Sequence, residues 1–359
     1  MRKSSLLEKI ITVRLIQEDA ETIYSLLQTE RDSIFHLEVL PFYALFVQSC
    51  QEYMGESFVS KSIEKDFKDI RNHIKSYSES FGKSKRRVLY VDDFQNEDYK
   101  KRLRFKFLKV MNIHYNLGCY WTDAGNIIGN TQQIADFYNT KSMFDDTMIR
   151  EKNFQIGNQI SSFVASVREG LSDSLDYPFI ARPKKSVIIK YFCDVNTNRK
   201  NNFFQGASKE LNLFFLHLLC NMNFVKHVLR TLIIDGNAWL FRVEYIVSYY
   251  TLRALERFKN HYENNKDIRV KTEELIKIIN EGETIFKTKL RNCMMHYSVE
   301  GLNVFAFKDM DRPFCGIIEK CFDGMSYQEY LVALHNLSDK IINYLENQFD
   351  FSFVKLKKL

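Results

Sequence analysis

Four prolines and 13 glycines are all the punctuation that 359 residues carry. Both residue types interrupt regular structure, and both stand below their usual shares of about 5% and 7%. Sandwiches, collagen-like repeats and disordered chains all need more of them. A chain this poor in breakers favours long helices, and the expected fold class is mostly α with a few short strands. Apolar residues make up 45% of the sequence, enough for a sizeable core, and the length favours two compact units.

Charge narrows the partners only slightly. Lys and Arg number 51 against 45 Asp and Glu, a balance of +6 that excludes a polycation but allows a local basic patch. The amino terminus, MRKSSLLEKIITVRLIQED, is interrupted by Glu8 and Arg14 and reads as an amphipathic helix rather than a signal peptide. The most lipid-like run, LNLFFLHLLCNMNFVKHVLRTLII, is broken by Asn212, His217, Asn221, Asn223, Lys226 and His227. A membrane span needs about 20 consecutive apolar residues, so this run predicts a buried core helix and no membrane partner. The seven cysteines form no C-x-x-C pair, and their odd number suits a reducing cytoplasm better than a disulfide framework. No metal site and no cofactor are expected.

Along the chain, residues 4–80 read as two or three helices, with Leu6, Leu7, Ile10, Ile11, Leu15 and Ile16 at helical spacing. Pro41 predicts a kink or break in the second. Residues 88–91 look strand-like, 96–114 read as a charged helix, 116–130 and 170–185 as irregular, and 186–192 as a strand. The polar stretch 194–206 is the expected boundary between a mainly helical region, 1–200, and a helical bundle, 207–350. Long helices are predicted over 208–234, 237–265 and 266–300, with Gly301 as the C-terminal cap of the third. A Gly- and Pro-punctuated insert, 301–324, precedes a last helix over 327–349.

The third bundle helix ends in LRNCMMHYSVEG, where Arg291, Asn292 and His296 spell R-N-x-x-x-H. This resembles the signature of the HEPN superfamily of helical-bundle ribonucleases, in which an Arg and a polar residue precede a His by a few positions. The resemblance covers residues 207–350. It implies an antiparallel bundle, Arg291 and His296 as the catalytic pair, Asn292 at the polar position, and a homodimer facing two motifs across one composite active site. Some relatives carry a Tyr two places after the His; here Tyr297 follows immediately. The family also implies RNA as substrate and a toxin or abortive-infection role, with an antitoxin, an activator or a phage-derived trigger as a further partner.

The residue types suit that chemistry on their own terms. His exchanges protons near neutral pH and Arg clamps phosphate through paired N–H donors, which together serve metal-independent RNA cleavage by the ribose 2′-OH. Asn292 and His296 are i,i+4 neighbours on one helix face, and Arg291 lies about 140° away. Lys287 and Lys289 on the same helix, with Arg102 and Arg104 in the basic run KKRLRFKFLK, are candidate RNA contacts. The alternative reading is a non-catalytic helical module that binds RNA, nucleotide or a protein partner. Two further patterns are decoys. Arg31, Asp32 and His36 repeat the motif with too little chain before them for a bundle. Asp92 and Asp93 sit where a polymerase or receiver domain has metal-binding carboxylates, but the surrounding pattern supports neither, and a solvated turn accounts for them.

Overall fold

A computed structural model describes residues 5–28, 33–55, 61, 63–104, 114–138, 146–171, 189–198, 208–262, 272–302 and 305–359. The expected irregular stretch 170–185, most of the loop 194–206, and Arg31 and Asp32 lie largely outside them. The chain is mostly helical with one small antiparallel sheet. Helix α1 (Leu6–Leu27) starts at a capping box, in which Ser5 and Glu8 satisfy each other's backbone N–H groups. Helix α2 (Ser33–Met54) carries Pro41 without ending there. Every residue from Glu38 to Val47 is buried, so α2 is wrapped by neighbours on all sides, and its packing outweighs the loss of one interior hydrogen bond. Helix α3 spans Glu64–His73 and α4 spans Phe81–Arg102.

The strand expected at 88–91 is part of α4. Val88 and Val91 are buried with Phe81, Ser84, Asp92 and Gln95 at helical spacing, and that periodicity overrides a local β-branched preference. Of the charged helix expected over 96–114, residues 96–102 are the last turns of α4, which ends at Arg102, and 105–113 lie outside the described residues. Residues 117–130, expected to be irregular, form a hairpin of β1 (Leu117–Thr122) and β2 (Ile127–Asn130). Its sequence hides it because both faces of the hairpin are buried, which removes the alternation that betrays a half-exposed strand. Helices α5 (Thr131–Tyr138) and α6 (Asp146–Leu171) follow, then β3 (Ile189–Val195).

The carboxy-terminal half contains α7 (Lys209–Phe224, running through a wider turn at Val225–Leu229), α8 (Ala238–Tyr262), α9 (Thr272–Ile285), α10 (Thr288–His296) and α11 (Tyr327–Glu346). The helix expected over 266–300 is thus two helices, parted at Phe286 and Lys287. Its cap is also displaced: α10 stops at His296 and Tyr297 takes the left-handed conformation, φ 54°, four residues ahead of Gly301. Strand β4 (Lys357–Lys358) closes the sheet in the order β2-β1-β3-β4, all antiparallel.

Helices α8 and α11 pack on each other and each packs on α7 and α9, α1 packs on α8, and α2 packs on α10. One apolar core runs from Ile11 on α1 through Phe46 on α2 to Trp239, Leu290 and Leu345, so residues on either side of position 200 share it. Among the described residues no helix is long and apolar enough to cross a membrane.

Candidate functional site

Helix α10 is nine residues long, and its two ends are tied to different parts of the molecule. At its start, tyrosines from other helices bond backbone carbonyls on either side of the break after α9. Tyr330 on α11 donates to the Ile285 carbonyl at 3.0 Å and Tyr245 on α8 donates to that of Lys287 at 3.4 Å. At its end, the last carbonyls of a helix need outside donors. Arg242 on α8 gives Nη1 to the carbonyls of Cys293 (2.8 Å) and Met294 (3.0 Å). Ser49 on α2 donates to Met295 O at 2.6 Å, and Thr12 on α1 donates to Tyr297 O at 3.1 Å. A cation at this end also complements the helix dipole.

Buried Asp19 on α1 completes the anchor. Its Oδ2 accepts from Arg242 Nε at 2.6 Å and from the Tyr297 hydroxyl at 2.6 Å. Burial pulls the Arg242 guanidinium toward its neutral form, but the adjacent Asp19 outweighs that and raises its pKa, so the cation persists.

The motif residues emerge from this framework partly accessible, while Leu290, Cys293, Met294 and Met295 point into the core. His296 presents its imidazole at the surface with Nδ1 2.7 Å from Glu52 Oε2, near the end of α2. The second oxygen of Glu52 lies 3.2 Å from Arg71 Nη1 on α3, and the same Arg71 nitrogen donates to Gln48 Oε1 at 3.2 Å. The i,i+4 neighbours Asn292 and His296 take different partners: Asn292 Oδ1 accepts from Arg291 Nη1 at 3.0 Å. Arg291 also lies against the buried Tyr250 hydroxyl of α8. Burial raises the pKa of that phenol, and Arg291, followed more weakly by Arg71, pulls it back down.

The proposed RNA contacts divide. Lys289 is exposed, but Lys287 is already engaged, with Nζ 3.1 Å from Cys321 O and 4.4 Å above the Phe322 ring. Arg102 and Arg104 are exposed at the end of α4, which packs on α5, α7 and α8; α10 packs on α2 and α8.

An open cleft of about 400 Å³ adjoins His296. Glu8, Lys9 and Thr12 from α1, Glu52 and Tyr53 from α2, and His296 to Glu300 line it. Its walls carry more carboxylates than cations. Among the described residues no group of three His, Cys, Asp or Glu side chains could hold a metal ion.

The acidic decoy has a different explanation from a solvated turn. Asp93 is exposed, but Asp92 is fully buried within α4. Its Oδ1 accepts from Gln132 (2.7 Å), Thr197 (2.8 Å) and Asn116 (3.3 Å), and its other oxygen pairs with Lys209. It ties α4 to the sheet and to α7.

Compared with family models, with curated proteins and with solved structures, the chain matches none. Glu52 and Arg71, which join the site from the amino-terminal region, carry no local pattern by which the sequence could have revealed them.

Proposed function

We propose that the chain is a cytoplasmic, metal-independent endoribonuclease, that residues 207–350 form a bundle of the HEPN type, and that two copies pair to bring two motifs to one active site. One observation carries this reading. On α10 the positions spared from the core include Arg291, Asn292 and His296, and the imidazole stands at the edge of a cleft with a carboxylate on its far nitrogen.

The chemistry follows from those groups. His296 takes the proton of a ribose 2′-OH as that oxygen attacks the neighbouring phosphorus. The 2′-O–P bond forms while the bond from phosphorus to O5′ breaks, leaving a 2′,3′-cyclic phosphate. The departing O5′ receives its proton from the partner's His296. Arg291 binds the phosphoryl oxygens as charge builds on them. Lys289, Arg102 and Arg104 supply sequence-independent contacts to the RNA backbone, with Lys287 contributing least because its ammonium is already bonded. In this reading the protein is a toxin or abortive-infection effector, held by an antitoxin or released by an activator or phage-derived trigger, a role that rests on the family resemblance alone.

The acidic walls of the cleft favour a second reading, a non-catalytic module whose cleft receives a basic protein partner. A polyanion is repelled by Glu8, Glu52 and Glu300, and a basic segment is attracted. Labelled RNA incubated in EDTA separates the two. Cleavage to cyclic phosphate ends by the wild type, lost in Arg291→Ala and His296→Ala variants that still fold, supports the enzyme. RNA left intact by the wild type supports the module.

A further inference from the structure

Glu52 reaches His296 from 244 residues away in sequence, and its geometry does more than fill a gap. Its two carboxylate oxygens are divided between two partners, His296 Nδ1 at 2.7 Å and Arg71 Nη1 at 3.2 Å. Arg71 is in turn held by Gln48 one helical turn earlier on α2, so the carboxylate is braced from behind. The Arg71 side chain is only 12% exposed and that of Glu52 is 46% exposed. The pair is therefore anchored on one side and open on the other, toward the cleft that Glu52 and His296 both line.

An ionised carboxylate can only accept hydrogen bonds. The nitrogen facing it must carry the proton, and the other imidazole nitrogen is then left with its lone pair. We propose that Glu52 is the positioning residue of His296: it fixes the Nδ1–H tautomer and leaves Nε2 as the basic nitrogen, while Arg71 holds Glu52 in that pose. The amino-terminal helices α2 and α3 thereby become part of the site.

Two consequences follow. The carboxylate orients the ring, and it stabilises the imidazolium that forms when Nε2 accepts a proton. Carboxylates that orient a metal-bound histidine from behind change activity by roughly 10–100-fold when removed, and a comparable effect is expected here. Exposure of Glu52 argues against any large part in stability, since an exposed pair is screened by water.

The inference rests on the ribonuclease reading for its effect on rate, but not for the tautomer, and the experiment keeps the two apart. Full-length protein labelled with ¹⁵N-histidine, with His296 assigned by loss of its signals in His296→Ala, reports which imidazole nitrogen carries the proton. The same samples are assayed for RNA cleavage, and their urea midpoints are recorded. The wild type is expected in the Nδ1–H form. Glu52→Ala should move His296 toward the Nε2–H form and lower kcat roughly 10–100-fold with KM within about twofold and the midpoint unchanged. Glu52→Gln, which still offers an acceptor oxygen, should keep the tautomer and lose part of the rate. Glu52→Asp should recover part of both. A wild-type Nε2–H tautomer, or a tautomer indifferent to Glu52→Ala, overturns the positioning role even if RNA is cut. A tautomer that follows Glu52 in a protein that leaves RNA intact upholds the positioning and overturns the ribonuclease reading instead.

Discussion

The Arg242 guanidinium lies 4.0 Å above the Tyr297 ring, and both side chains donate to one oxygen of Asp19. This contact joins α1, α8 and the end of α10 at a single buried point. Tyr297 holds a left-handed conformation that non-glycine residues seldom adopt, and the stack and hydrogen bond are what keep it there. Arg242→Ala removes the counter-charge of a fully buried carboxylate and the donors of two helix-end carbonyls. The expected loss is about 3–5 kcal/mol in urea unfolding, the range for a buried pair broken on one side. The double change Asp19→Asn with Arg242→Met removes both charges together and should cost less than Arg242→Ala alone. A double variant at least as unstable as the single one would show that the carbonyl contacts, not the unpaired charge, dominate.

Gly282 in the last turn of α9 offers a test in which two effects oppose each other. An alanine there gains about 1 kcal/mol of helix propensity. Its methyl group, however, would overlap a terminal methyl of Leu252 on α8, which is 5% exposed within the core. Overpacking costs about 1–3 kcal/mol, so Gly282→Ala should destabilise. In a Leu252→Ala background the obstruction is gone, and the same substitution should become neutral or stabilising. Thermal unfolding of the four combinations reads the coupling directly, and additive effects would refute it.

Much of the helical framework was legible because helices write their periodicity locally. The starts of α8 and α11, at Ala238 and Tyr327, fall within a residue of the expected 237 and 327. What escaped was set by tertiary structure. No glycine or proline marks the break between α9 and α10; hydroxyls of Tyr245 and Tyr330, brought in by other helices, bond carbonyls on either side of it. The hairpin over β1 and β2 escaped because both of its faces are buried. Asp92 was misread for the same reason, since a buried carboxylate with four partners looks in sequence like a solvated one. At the site, Arg291 and His296 share one short helix and could be found by spacing. Glu52 lies 244 residues from His296, and no local pattern relates them.

Acid should unfold the protein through buried histidines. The His217 imidazole is fully buried, its Nδ1 2.5 Å from the Tyr77 hydroxyl and its Nε2 3.3 Å from Gln132 Oε1. Burial, reinforced by neighbouring His73, pushes its pKa down from 6.5 to about 3. A folded-state pKa below the unfolded value means that the stabilisation is complete above pH 6.5 and is lost as pH falls toward 3. The slope is about 1.4 kcal/mol per pH unit for each proton taken up. His227, lowered to about 4 chiefly by burial, adds to the upper part of that window. Asp136, held at about 2 by His73 and Arg87 against the opposing effect of burial, contributes only below its unfolded value of 3.8. Chemical unfolding from pH 7 to 4 should therefore show falling stability, with a shallower slope in His217→Gln. An unchanged slope in that variant would exclude His217 as a source.

The two polar groups that precede His296 should differ sharply in importance if α10 cleaves RNA. Arg291 carries the phosphate-binding charge, and loss of a donor that stabilises a developing oxyanion typically costs 10²–10³ in kcat. Lysine keeps the charge but not the planar pair of donors, and its ammonium would meet Asn292 Oδ1 and the Tyr250 hydroxyl with different geometry. Arg291→Lys should therefore recover little of the activity lost in Arg291→Ala. Asn292 accepts from Arg291 and not from His296, so its contribution is to steady the guanidinium. Asn292→Ala should reduce kcat by less than about tenfold, with Asn292→Asp closer to the wild type because an acceptor oxygen is retained. Single-turnover cleavage of a short RNA at saturating enzyme ranks the four variants. An Asn292→Ala defect as deep as Arg291→Ala would mean that Asn292 itself touches the phosphate, and that the Arg291–Asn292 bond opens when RNA arrives.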